Sequence, residues 1–193
     1  MEPVRSLHDL LDLQNVDSQI DRLIDQRQGL PELDEYRSAH EATAEFGSEL
    51  AAAKNRLRET GLAIDKTNGE LELAQQKASA EEMRLYAGGL SARDADYLRR
   101  EVEMLKAKVG GMEDEVLALM EARDVIEADV ARLEEELAAA SERKGRLESR
   151  IREAWKVIDE ELAVKEQRKA EIVPLIDVDL VSLYEGLRET RDG

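Results

Sequence analysis

The 193-residue sequence is rich in charge and poor in aromatic side chains: 42% of its residues are hydrophobic, 38% charged and 3% aromatic. A rounded globular core needs more aromatic bulk than this, whereas long helices that share a narrow apolar seam do not. The formal net charge of −17 argues against sequence-independent binding of nucleic acid, which requires clustered Lys and Arg.

Membrane insertion and secretion are not expected either. No apolar run approaches the roughly 20 residues of a membrane span, and residues 1–8 lack the apolar region of a signal peptide. The sequence has no cysteine, which fits the cytosol but is equally indifferent to redox state. We therefore expect a cytoplasmic protein with no membrane partner.

An N-terminal helix is predicted over residues 1–29, with a break before Pro31, because proline disfavours helical geometry at the residue that precedes it. The apolar stripe of this helix is wider than a two-helix seam requires, which predicts more than one packing partner. The stripe consists of Leu7, Leu10, Leu11, Leu13, Val16, Ile20, Leu23 and Ile24.

The rest of a first helical arm is predicted over residues 31–86, where seam positions recur in steps of three and four. One seam position holds mostly Leu or Ile, and the other holds small or Thr residues. The series is Phe46, Leu50, Ala53, Leu57, Thr60, Ile64, Thr67, Leu71, Ala74 and Ala78.

A turn is predicted over residues 87–94. Gly88 and Gly89 release the backbone from the helix and tolerate the left-handed conformation. Ser91 followed three residues later by Asp94 resembles a capping box for the next helix. We call residues 86–97, the turn and its flanks, the tip.

The second arm, predicted over residues 95–173, carries the strongest pattern in the sequence. Its heptad seam is interrupted only by Arg123 and Lys144, and Pro174 is expected to end the helix. Such a sustained repeat predicts a left-handed supercoil against the first arm. The seam positions are Leu98, Val102, Leu105, Val109, Met112, Val116, Leu119, Arg123, Ile126, Val130, Leu133, Leu137, Ala140, Lys144, Leu147, Ile151, Ala154 and Ile158.

A short C-terminal helix is predicted over residues 177–189, with Asp177 as its N-cap. Its expected packing residues are Leu175, Ile176, Leu180, Leu183 and Leu187. The predicted fold is thus all-α: a single elongated domain over residues 1–193, built as a long antiparallel two-helix coiled-coil hairpin with a small three-helix base.

Residues 84–106 and 112–121 resemble the bacterial C4-type zinc-ribbon domain proteins, as do residues 10–20 and 183–188 more weakly. The resemblance implies a helical hairpin followed by a ribbon in which two Cys pairs hold Zn²⁺. It also implies partners in transcription or secretion, since family members are linked to an alternative sigma factor, flagellar assembly or RNA. This sequence has no cysteine and ends about where the ribbon would begin, so we expect no zinc site and no cofactor in this chain.

No catalytic or metal site is predicted. His8 and Asp12 have ligand spacing on one helix face but no third ligand, and His40 has only surface carboxylates nearby. Carboxylate pairs such as Glu134 and Glu136 lack the concave, desolvated pocket that acid–base chemistry requires. Trp155, beside a seam position, is interpreted as packing against the first helix, with an exposed contact patch as the alternative.

The tip is the predicted partner contact, because large side chains at a rigid extremity are typical contact anchors. The alternative interpretation is that these side chains fold over the hairpin end and cap it. Six residues form this candidate site: Tyr86, Gly88, Gly89, Leu90, Arg93 and Tyr97.

The predicted function is non-enzymatic: a protein-interaction adaptor or chaperone-like tether that holds an unidentified protein. Two alternatives remain, a nucleic-acid-associated factor that acts through a missing zinc ribbon, and an architectural spacer. Nucleic acid is not expected to bind this chain itself, and the sequence leaves self-association open. From Glu81 to Lys108 six acids balance six bases, whereas Glu113 to Glu136 holds ten acids and two bases, so the tip could approach a partner that the arm repels.

Overall fold

A computed structural model describes the backbone of residues 2–192 and the side chains of residues 7–188 and 190. The helices are α1 (Glu2–Gln28), α2 (Pro31–Tyr86), α3 (Ala92–Ile172) and α4 (Val178–Asp192), with a 3₁₀ turn over Val173–Leu175. The described residues contain no strand. The chain is a long antiparallel coiled-coil hairpin with a three-helix bundle, as predicted from the heptads. Met1 and Gly193, included in the predicted ranges, lie outside the described residues.

The ends of the helices follow from local chemistry. Pro31 occupies the first position of α2, where its missing N–H costs nothing. Pro174 lies two residues after Ile172, where α3 ends, and is part of the tighter 3₁₀ turn that follows. Asp177 caps α4, because its Oδ1 accepts a hydrogen bond from Asp179 N at 2.9 Å. α3 begins at Ala92, three residues earlier than predicted, since Ser91 caps it.

Residues 42–139 form one compact unit, here called the two-helix unit. Every predicted seam position of α2 and α3 in this unit is buried or half-buried, which confirms the heptad assignment. Leu50, Ala53 and Leu133 form its buried cluster. Ion pairs fix the register, with Lys54 Nζ 2.7 Å from Glu134 Oε1 and Lys77 Nζ 3.3 Å from Glu101 Oε1.

Residues 1–41 and 140–193 form the other compact unit, here called the three-helix unit. Its core joins α1, α3 and α4 through the side chains of Leu13, Val16, Ile20, Ile172 and Ile176, against which Leu180, Val181 and Tyr184 pack.

Some apolar residues predicted for this core are exposed instead. In α1, Leu7 and Leu11 are exposed, so the buried stripe is narrower than the sequence suggested. Of the residues expected to pack near the C-terminus, Ile176 and Leu180 do so, whereas Leu175, Leu183 and Leu187 are exposed. Helix α4 faces α1 with Leu180, Val181 and Tyr184, a face whose contacts include a polar group that apolar periodicity does not register.

Candidate functional site

The turn at the tip is a tight and defined structure. α2 ends at Tyr86, and Ala87 N donates to Met83 O at 3.0 Å to close the last turn. Gly88 and Gly89 follow with φ of 80° and 82°, in the left-handed region where a side chain would be strained. These two residues therefore reverse the chain in a way that other L-residues would resist.

The start of α3 is capped from within the tip. Asp94 N donates to Ser91 Oγ at 3.2 Å, and Ser91 Oγ donates in turn to Asp94 Oδ2 at 2.7 Å. The Asp94 carboxylate also lies in the first turn of the helix, where negative charge is favoured by the helix dipole. The predicted capping pair is present, with aspartate in place of the usual Glu or Gln.

The seam stays closed close to the turn. Leu98, Val102 and Leu105 are buried, at 5–7% exposure. Lys106 Nζ lies 2.6 Å from Glu82 Oε1 across the hairpin, and that hydrogen bond raises the pKa of Lys106. The tip is thus presented by a fixed pair of helices.

The six predicted contact residues differ in exposure. Tyr86 is 79% exposed and Tyr97 is 71% exposed, so neither ring caps the hairpin end. Leu90 is half-buried, whereas Gly88, Gly89 and Arg93 are exposed. The structure therefore holds two solvated aromatic rings on either side of the turn.

The charged side chains of residues 81–108 differ in whether they have a partner within the hairpin. The acids are engaged: Glu81 with Arg84, Asp96 with Arg100, Glu101 with Lys77, Glu82 with Lys106 and Asp94 with Ser91. Within the described part of the chain, Arg93, Arg99 and Lys108 make no ion pair or hydrogen bond through their side chains, and Glu103 is the only acid from 81 to 108 in that position. Because the Ser91 hydroxyl is neutral, Asp94 and Glu103 both have no cationic partner, so three cations and two acids in residues 81–108 are outside ion pairs among the described residues.

A buried ionic cluster, which sequence reasoning missed, lies in the three-helix unit. Asp17 is 2% exposed, and its Oδ1 lies 2.9 Å from Lys169 Nζ and 3.0 Å from Arg188 NH1. Its Oδ2 accepts a hydrogen bond from Tyr184 Oη at 2.9 Å. Burial, together with that bond to Asp17, raises the pKa of Tyr184 to about 12. Arg188 also pairs with Asp21.

One signal could have revealed this cluster. Asp17 lies four residues after Leu13 and three before Ile20, on the apolar stripe of α1. A carboxylate at a core position needs cationic partners. Its partners, however, are more than 150 residues away in the sequence, and spacing alone does not identify them.

A model of the CT398-like coiled coil hairpin domain matches residues 13–192. The chain belongs to this family. The uncharacterized protein Rv2229c of Mycobacterium tuberculosis is 20% identical over 179 residues, which cover 93% of this chain and 73% of that protein.

Two solved structures share the fold of this CT398-like hairpin. A Mycobacterium smegmatis structure has a TM-score of 0.79 at 21% identity and covers 95% of this chain and 76% of its own. CT398 from Chlamydia trachomatis has a TM-score of 0.80 at 17% identity and covers 97% and 78%. At these identities the likeness supports the hairpin architecture alone.

The described side chains of the CT398-like hairpin include no group of three or more His, Asp or Glu arranged to bind a metal ion. His40 stacks on Tyr36 with ring centroids 6.2 Å apart. No described helix combines the length and apolarity required to cross a bilayer.

Trp155 packs against the first helix, as interpreted from its place beside the seam. Its Nε1 donates to Arg27 O at 3.0 Å, and the Arg27 guanidinium carbon lies 4.8 Å from the ring centroid. Arg27 Nε also lies 2.9 Å from Asp159 Oδ1. Because α1 ends at Gln28, the Arg27 carbonyl has no helical donor, and the indole supplies one. Trp155 therefore caps the break between α1 and α2.

Proposed function

We propose that this CT398-like hairpin is a non-enzymatic adaptor that holds a partner protein at its tip. One observation carries the proposal: Tyr86 and Tyr97 present 79% and 71% of their surface to solvent on either side of a turn set by two left-handed glycines. Large aromatic rings lose little conformational entropy on binding and are frequent hot spots of protein interfaces.

The rigidity of the tip supports this role. The glycine turn and the Ser91 cap define the backbone of the tip, and the exposed Lys106–Glu82 pair adds a weak contact across the hairpin. Preorganisation reduces the entropy lost on association, so a small contact surface can still bind. The exposed rings contribute little to folding, which leaves binding as their main use.

Site-specific photo-crosslinking tests this function. A benzophenone amino acid at Leu90, in lysate of the source organism, should capture one dominant protein, and Tyr86→Ala should reduce the adduct severalfold. The matched control carries the same probe at Leu62, which is 64% exposed in the same unit but away from the turn. Equal capture from both positions, or none from Leu90, would leave an architectural spacer as the better description.

A further inference from the structure

The first helical turns of α3 carry a second stripe, separate from the seam. The side chains of Arg93, Tyr97, Arg100, Met104 and Lys108, here called the outer stripe, follow steps of four, three, four and four residues. At 100° per residue they lie within an arc of about 80°, whose centre is about 130° around the helix from the buried seam residues Leu98, Val102 and Leu105.

The outer stripe is a solvated surface with an apolar centre. Tyr97 and Met104 are 71% and 65% exposed, and nothing in the two-helix unit covers them. From Arg93 to Lys108 the stripe is about 22 Å long, roughly four helical turns. Tyr97 and Met104 are one heptad apart, a spacing that two apolar residues of another helix can match.

The charges of the outer stripe indicate which kind of partner helix would fit it. Arg93 and Lys108, at the two ends of the stripe, make no ion pair with any described residue. Arg100, at its middle, pairs only with the exposed Asp96 at 3.0 Å, a contact that solvent screens strongly. Cations at both ends and the middle of an apolar stripe complement a helix that carries acids beside its apolar face.

A second copy of this chain does not fit the stripe symmetrically. In an antiparallel pairing of two stripes, Arg93 would face Lys108 and Arg100 would face its own counterpart. A parallel pairing would place each cation against itself. Both arrangements set like charges together, which is unfavourable at a close interface.

Nucleic acid fits less well than an acidic helix. Phosphate binding depends on clustered cations and releases many counterions, whereas this stripe has three spaced cations on a chain of net charge −17. We propose that the outer stripe of α3 binds an amphipathic helix with acidic flanks on a partner protein. This rests on the proposed function, because it names the partner chemistry of the same tip.

A pair of synthetic peptides tests the inference with the full chain. One is a helix of about three heptads with Leu at the seam positions and Glu at the flanks, and its twin has Lys in place of Glu. Fluorescence anisotropy at low and high salt should show the Glu peptide binding at least about tenfold more tightly than the Lys twin, less so at high salt. Tyr97→Ala should weaken binding of the Glu peptide.

The decisive variant reverses the charge of the two outer-stripe cations that have no ion pair. Arg93→Glu with Lys108→Glu should invert the preference, so that the Lys twin binds more tightly. The control, Arg58→Glu with Arg99→Glu, changes the net charge equally at exposed residues off the stripe and without ion pairs among the described residues, and should preserve the preference. Circular dichroism checks that both proteins fold.

Three outcomes would overturn the inference. One is equal affinity for both peptides, or an equal effect of the two double variants. Another is tighter binding of a single-stranded oligonucleotide than of the Glu peptide, when the Arg93→Glu, Lys108→Glu variant abolishes that binding. A third is a dimer of the full chain in analytical ultracentrifugation that the same double variant converts to a monomer. If the peptides fail while Leu90 still captures a protein, the adaptor function survives and only the acidic helix is rejected.

Discussion

The three-helix unit and the two-helix unit are built from similar side chains but bury them differently. In the three-helix unit Leu13 is 1% exposed, and the carboxylate residue Asp17 is 2% exposed. In the two-helix unit Leu133 is 2% exposed, and the buried polar residue among its described side chains is the uncharged Thr67, at 8%. Both units leave large apolar side chains exposed, such as Leu62 and Leu117 in one and Leu183 and Leu187 in the other. Two helices cover only one narrow stripe of each other, so the remaining faces must be solvated or used for binding.

The largest expected effect compares the same truncation in both units. Leu13→Ala should cost about 3–4 kcal/mol and Leu133→Ala about 2 kcal/mol, because the cost depends on how far the surroundings can close on the cavity, and two helices can close further than three. Trp155 is the only tryptophan and lies in the three-helix unit, so its fluorescence reports that unit, while circular dichroism reports all the helices.

Urea titrations followed by both signals measure the two costs. A larger loss for Leu133→Ala would show that the seam is the less adaptable packing, and the comparison between the units would have to be reversed.

A second comparison removes one carboxylate from each unit. Asp17 contacts Lys169 and Arg188, and its side chain is 3% exposed. Asp129 contacts Arg56 and Arg132, at 3.3 and 2.6 Å, but is 33% exposed. Asp17→Asn should cost about 2–3 kcal/mol, since it leaves the half-buried Lys169 without its anion and removes one of the two carboxylates that pair with Arg188.

Asp129→Asn should cost no more than about 1 kcal/mol, because solvent screens the exposed pairs. Equal losses in urea titrations of the two variants would mean that burial does not decide the value of these ion pairs.

The Tyr184 hydroxyl makes the three-helix unit sensitive to alkali. Its pKa is about 12 in the folded chain, above the usual value of about 10. Below pH 10 both states keep the proton and the stabilisation is complete; between about pH 10 and 12 the unfolded state loses it first, so the free energy of unfolding falls.

The expected loss is about 1 kcal/mol, less than a full conversion of the shift because the ring is only half-buried. Tyr184→Phe should abolish this part of the pH dependence, which urea midpoints at pH 9 and 11 measure. An unchanged slope in the variant would assign the alkaline loss to other groups.

Much of the fold could be predicted because its determinants are local. The seam from Leu98 to Ile158 repeats with a constant period, Pro31 and Pro174 break helices through their own rings, and Gly88 with Gly89 marks the reversal. The packing of α4 was predicted only in part: Leu180 packs as expected, but Leu183 and Leu187 do not, and the face that packs includes the hydrogen bond from Tyr184 to Asp17, 167 residues away in the sequence. Periodicity counts apolar residues and does not register a polar contact of that kind.

The candidate site was only partly readable. Tyr86 and Tyr97 were chosen from their place beside a turn, and the structure adds their exposure and shows that Arg93 and Arg99, near Tyr97, are outside ion pairs among the described residues. Whether a charge is free depends on which acids the paired helix supplies, as Glu82 does for Lys106. The partner in transcription or secretion that the family resemblance implies remains a prediction, since the packing of these helices does not test it.

The smallest effect concerns the glycines within the two-helix unit. Gly110 and Gly111 lie inside α3, and a Cβ added to either would meet nothing within 4 Å apart from the neighbouring residues and backbone of its own helix. Close packing therefore does not require them, and Gly111→Ala should stabilise the chain by about 0.5–1 kcal/mol through the restricted unfolded state.

Gly89→Ala is the matched control, because its φ of 82° strains any L side chain even in open space; it should destabilise by about 1 kcal/mol. Opposite shifts of the urea midpoint would separate a glycine that a turn requires from one that a helix merely tolerates. If Gly111→Ala stabilised the chain and also weakened capture at Leu90, flexibility in this part of α3 would contribute to binding. If Gly111→Ala destabilised the chain, α3 would have to bend there, and the straight outer stripe that ends at Lys108 would lose its geometric basis.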